Sequence, residues 1–62
     1  MGTRMWRVEA MGDSVYIEAG DRLDAERIFR ANMGDVPVSL LTWTEVTEIP
    51  EGEVALPDPE RR

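Results

Sequence analysis

The sequence contains no cysteine, no histidine and no lysine, and each absence removes a class of chemistry. Without cysteine the chain cannot form a disulfide, and without histidine it lacks the commonest general base and a frequent metal ligand. Ser14 and Ser39 have no base partner that could activate them as nucleophiles. The acidic residues match no calcium-binding loop. We therefore expect a protein that is not an enzyme and that binds neither a metal nor a cofactor, and a small enzyme that uses carboxylates alone is the least favoured alternative.

Long apolar runs are missing as well. No stretch approaches the roughly 20 residues of a membrane-spanning helix. The first ten residues, MGTRMWRVEA, lack the apolar centre of a signal peptide. The expectation is a cytoplasmic protein that does not contact a membrane.

Basic residues are missing from almost all of the second half. Residues 1–30 contain six acids and five arginines, whereas residues 31–60 contain seven acids and no base, and the net charge of the whole chain is −6. A phosphate backbone repels such a chain. The sequence therefore predicts no direct binding of nucleic acid.

The length of 62 residues predicts one small domain with a marginal core. Domains of this size commonly depend on disulfides, metals or oligomerisation. Since the first two are not expected here, a homodimer is a reasonable hypothesis.

The first 33 residues have the pattern of a hairpin followed by a helix. Apolar residues alternate with polar ones in residues 5–10 and again in residues 15–19, around a turn that contains Gly12. Asp21 is suited to cap a helix from residue 22 to about 33, with Asp24 at a capping-box spacing, and Gly34 is suited to end it. Ala25, Ile28, Phe29 and either Asn32 or Met33 would form one helical face, and Leu23 would pack at its edge.

A third strand is predicted within residues 38–49, although its alternation is imperfect. The apolar residues at odd positions would lie on one face of the strand, and those at even positions on the other. The first set is Leu41, Trp43 and Ile49, and the second is Val38, Leu40 and Val46. Either a bulge between Trp43 and Val46 reconciles them, or the strand has apolar groups on both faces, one of which meets another subunit. The predicted fold is α+β: ββαβ, with a three-stranded antiparallel sheet and one helix packed on one face.

The expected domain covers residues 1–49, and residues 50–62 form an acidic, proline-containing tail. The tail is either disordered and solubilising, or part of an acidic surface, and Val54, Ala55 and Leu56 could add a short edge segment. Trp43 is either a core residue or an interface anchor. The candidate partner-binding residues are Glu45, Glu48, Glu51, Glu53, Trp43 and Asp35.

The run VYIEAGDRLDAERI resembles a pattern in small proteins of phages and mobile elements, including type I anti-CRISPR proteins and accessory proteins of the DpnD/PcfM kind. The resemblance covers about residues 5–49. It implies a non-enzymatic inhibitor that binds a host defence protein, often where nucleic acid would bind.

Two functional hypotheses follow. In the first, the acidic residues bind a host protein or complex through its basic nucleic-acid-binding groove and so mimic nucleic acid. In the second, the protein is an assembly module that forms a homo-oligomer or adds its third strand to the sheet of a partner.

Overall fold

The computed structural model describes residues 2–60, and their architecture is the predicted ββαβ fold. The helix connects the second and third strands of a three-stranded antiparallel sheet in the order β2-β1-β3. The elements are β1 (Arg4–Ala10), β2 (Asp13–Ala19), α1 (Arg22–Met33), a short 3-10 helix (Val38–Leu40) and β3 (Leu41–Val46).

The hairpin between β1 and β2 closes through a two-residue turn. Met11 and Gly12 both have positive φ angles, of 52° and 87°. Two consecutive residues of this kind form a turn whose twist matches that of the flanking strands. Gly12 adopts this conformation without cost, whereas Met11 is strained because its Cβ crowds the backbone.

Both predicted ends of α1 are confirmed. The Asp21 carboxylate accepts a hydrogen bond from the Asp24 amide at 2.7 Å, and the Gly34 amide donates to the Arg30 carbonyl at 3.0 Å. Asp24 does not complete a reciprocal capping box, because its carboxylate accepts from the side chain of Arg27 instead. The expectation for Leu23 was wrong: it is 68% exposed and points away from the sheet.

The core lies between α1 and one face of the sheet. The residues buried there are Val8, Ile17, Ala19, Ala25, Ile28 and Phe29. In β1 and β2 the register sets Trp6 opposite Ile17 and Val8 opposite Val15, so the predicted apolar faces of both strands coincide. The backbone of α1 lies closest to β2, which leaves the side of the core near β3 less completely covered.

The third strand is shorter than the sequence pattern suggests, and it contains no bulge. Its register with β1 is continuous from Leu41 opposite Ala10 to Val46 opposite Met5. Val38 and Leu40 do not fit the strand alternation that includes Trp43, because they belong to the preceding 3-10 helix rather than to the strand. Leu41 and Trp43 therefore face α1, whereas Val46 lies on the other face.

Beyond β3, residues 47–54 carry the chain from one edge of the sheet to the other. Ala55 then forms a parallel bridge with Tyr16 on the outer edge of β2, and the Leu56 amide donates to the Tyr16 carbonyl at 2.8 Å. Leu56 packs against the core. The expected edge segment around Ala55 is confirmed, whereas the division of the chain at residue 50 stays a prediction.

Candidate protein-binding surface

Four of the predicted partner-binding glutamates follow one another along β3 and the chain beyond it. We call residues 45–53 the acidic segment. Glu45 lies near the end of β3, Glu48 lies in the bend that follows, and the Glu53 amide donates to the Pro50 carbonyl at 3.1 Å to close a turn that contains Glu51. Because β3 ends at Val46, Glu48, Glu51 and Glu53 lie beyond the strand and do not form a row at strand spacing.

The acidic segment keeps most of its charge uncompensated. Glu48, Glu51 and Glu53 are exposed, and no arginine among residues 2–60 forms an ion pair with them. Glu45 lies 3.5 Å from Arg4, but both side chains are solvent-exposed. Exposed pairs of this kind are weak, because water and salt screen the attraction. Arg4 therefore balances the charge of the acidic segment only in part.

The other arginines that form ion pairs in the described part of the chain are engaged elsewhere. Arg7 pairs with Glu9, and Arg30 pairs with Glu26, which lies four residues earlier in α1. Arg27 contacts three carboxylates, from Asp24, Asp58 and Glu60, at 2.7, 3.2 and 2.8 Å. The hydrogen bonds that Arg27 donates to Asp24 and Asp58 raise the pKa of Arg27 above its already high value. The charge of the helix and the C-terminal residues is therefore partly balanced within the fold, unlike that of the acidic segment.

Trp43 has features of both roles that its sequence position suggested, a core residue and an interface anchor. Its ring packs edge-on against Phe29, with 6.1 Å between the ring centroids and an interplanar angle of 76°. It is nevertheless half-buried, and its indole N–H is a buried donor without a hydrogen-bond partner within residues 2–60. Trp43 thus contributes to the core while remaining accessible beside the edge of the sheet.

Asp35 does not belong to the acidic segment. It is exposed in the loop that joins α1 to the 3-10 helix, before β3, whereas Glu48 follows that strand. A role for Asp35 in partner binding stays a prediction.

The C-terminal residues 55–60 are held against the fold by several contacts that the sequence did not reveal. The Asn32 side-chain amide donates to the carbonyls of Ile28 and Pro57, at 2.8 and 2.9 Å. Arg27 reaches Asp58 and Glu60 from the same helix. The sequence pattern gave no signal for the contacts with Pro57, Asp58 and Glu60, since each joins residues 25 or more positions apart. They leave residues 45–53, rather than the last residues, as the less balanced acidic surface.

No group of three or more acidic, cysteine or histidine residues within positions 2–60 could hold a metal ion. A cavity of about 140 Å³ opens between the hairpin turn and the end of α1, and its lining is apolar except for Asp13. Among the described residues, no helix has the length and apolar character needed to cross a membrane.

Comparisons with protein-family models, with curated proteins and with solved structures found no match to this chain.

Proposed function

We propose that this protein is a non-enzymatic inhibitor that binds a basic groove on a nucleic-acid-handling host protein through its acidic segment. The observation that supports this proposal is the exposed, unpaired charge of Glu48, Glu51 and Glu53 within the described chain. Clustered carboxylates attract a basic groove over several ångströms and accelerate its association. In this proposal the protein acts in the cytoplasm of the host cell and is encoded by a phage or mobile element, in line with its resemblance to anti-CRISPR proteins.

The geometry favours recognition by charge rather than by a shaped pocket. Three carboxylates lie on a bend and a turn outside the regular sheet, where a partner can approach them without displacing a core residue. Gly52, with a φ of 89°, shapes the turn between Glu51 and Glu53. A positive groove would gain Coulomb energy from such a surface, and salt would weaken the complex.

A capture experiment with two matched variants tests the proposal. The first variant, E48Q/E51Q/E53Q, removes three charges from the acidic segment. The second, E9Q/D13N/E18Q, removes three charges from the hairpin, so that both have the same net charge. Each is used at low and at high salt to capture proteins from a bacterial lysate, and each captured protein is then challenged with added DNA or RNA.

We expect the wild type and the hairpin variant to retain a nucleic-acid-binding protein that added nucleic acid displaces. The acidic-segment variant should retain at least about tenfold less of it, because each charge-assisted contact contributes on the order of 1 kcal/mol. Equal loss in both variants would show a response to net charge alone. Capture that nucleic acid does not displace would contradict binding at a nucleic-acid site.

A further inference from the structure

The outer edge of β3 is open. Within residues 2–60, β3 pairs with β1 and with no other strand. The opposite edge of the sheet differs, because Ala55 and Leu56 bond to the outer side of β2 at Tyr16. An open edge presents unpaired backbone donors and acceptors that can bond to another strand.

This edge also lacks the usual features that prevent pairing. The strand LTWTEV contains no proline, lysine or bulge, and its single charge is Glu45. Beside the edge, Leu41 and Trp43 are only half-buried on the helix side, and Val38 and Leu40 of the preceding turn are exposed. Backbone bonding and incompletely covered apolar side chains therefore occur at the same place.

We propose that two copies of this chain pair through β3 in antiparallel orientation, forming a dimer with a continuous six-stranded sheet. A two-fold axis perpendicular to the sheet reverses the strand direction and keeps both helices on the same face. Residues that lie opposite each other across such an interface point to the same face of the sheet. The residue numbers of each pair must then add to an even number, which leaves few possible registers.

Among these registers, we favour the one that places Trp43 opposite Trp43 of the other copy, because it pairs residues 41–45 of both strands, whereas a shift toward Leu41 would pair fewer strand residues. The two Glu45 residues are then separated by four positions along the strands, about 13 Å, which exceeds the screening length in physiological salt. The same register pairs Thr42 with Thr44 twice, and it brings two aromatic rings together. A shift of one position along each strand would instead place Trp43 opposite Glu45 and bring the two carboxylates to about 7 Å.

This inference does not depend on the proposed function, because that function rests on Glu48, Glu51 and Glu53, whereas the dimer rests on the edge of β3 and on Trp43. It accounts for the half-buried state of Trp43 by adding apolar cover from the second copy. It also supplies extra burial for a domain whose own core is small.

Two pairs of substitutions on the exposed face opposite α1 test the register. T42K/T44K places lysine opposite lysine twice across the interface, and T42K/T44E places lysine opposite glutamate twice. Within one chain residue 42 faces Glu9 and residue 44 faces Arg7, so T42K/T44E also suits the isolated fold. Because T44K could destabilise that fold, the complementary variant T42E/T44E is mixed with T42K/T44K as a second measurement.

The mass is measured by equilibrium sedimentation over a wide range of protein concentration. We expect the wild type to reach twice its chain mass of 7.0 kDa. The dimer dissociation constant should rise about tenfold in T42K/T44K and fall in T42K/T44E, since cross-strand charge pairs are worth up to about 1 kcal/mol each. Mixing T42K/T44K with T42E/T44E should restore dimers that neither forms well alone.

Three results would overturn the proposal. A wild-type protein that remains at 7.0 kDa up to millimolar concentration would show that two copies do not pair. The open edge would then suit a strand of a different protein. A dimer that T42K/T44K leaves intact would have its interface elsewhere. Weaker association of T42K/T44E than of wild type would exclude the register centred on Trp43.

Discussion

At the scale of single residues, Met11 is the clearest conflict between side chain and backbone. Its φ of 52° lies in the left-handed region, which costs a residue with a Cβ on the order of 1 kcal/mol. It is also 75% exposed, so little apolar burial compensates for this cost. The hairpin therefore forms in spite of Met11, through the favourable geometry of Gly12 and the packing of both strands.

Replacing Met11 by asparagine should stabilise the protein by about 0.5–1 kcal/mol, because asparagine followed by glycine is a preferred pair for this turn. The free energy of unfolding can be measured by urea denaturation followed through tryptophan fluorescence. Gly12→Ala is the matched control and should lose stability, although its new Cβ would meet no atom within 4 Å. An M11N protein no more stable than wild type would contradict a strained turn.

At the scale of whole elements, the hairpin and α1 could be predicted because their apolar periods and caps are local. The start of β3 could not, since Val38 and Leu40 are as apolar as strand residues and only the backbone shows that they form a turn. The four glutamates of the acidic segment were identified from the absence of nearby bases. The positions of these glutamates relative to the sheet could not be predicted, because they depend on where β3 ends and on the turn at Pro50.

The packing of Leu56 was also beyond the sequence pattern, because its partners lie on β2 and in the core, far away along the chain. This packing makes the C-terminal residues part of the stable fold. Leu56→Ala should therefore lower the free energy of unfolding by about 1–2 kcal/mol, less than at a fully buried site because Leu56 is half-buried.

Val54→Ala provides the control for Leu56→Ala, since Val54 is 83% exposed and its truncation should change stability by less than about 0.5 kcal/mol. Both variants can be compared by urea unfolding. Equal, negligible effects would support a tail that only solubilises the domain, and would favour the division of the chain at residue 50.

At the scale of the whole molecule, charge is distributed unevenly. The chain has 13 acids and seven arginines, and among residues 2–60 the ion pairs lie mostly within α1 and between α1 and the C-terminal residues. An excess of one sign opposes the compact state through repulsion. The acidic segment should be a main source of this repulsion because its charges have few neighbours of opposite sign.

Added salt should consequently stabilise the protein. The urea midpoint should rise between about 10 and about 150 mM NaCl, because the screening length shortens over this range. The rise should be smaller in E48Q/E51Q/E53Q than in E9Q/D13N/E18Q, which removes a charge that Arg7 already balances. A midpoint that falls with salt in the wild type would show that its ion pairs outweigh the repulsion.

The bridge between Tyr16 and Ala55 has a consequence for how the protein is made. It joins positions 39 residues apart, so Tyr16 leaves the ribosome well before Ala55 does. The hairpin and α1 can form during translation, but the outer edge of β2 stays unpaired until Ala55 and Leu56 have left the exit tunnel. A nascent chain of which residues 4–46 have emerged but Ala55 has not would therefore present a sheet with both edges open.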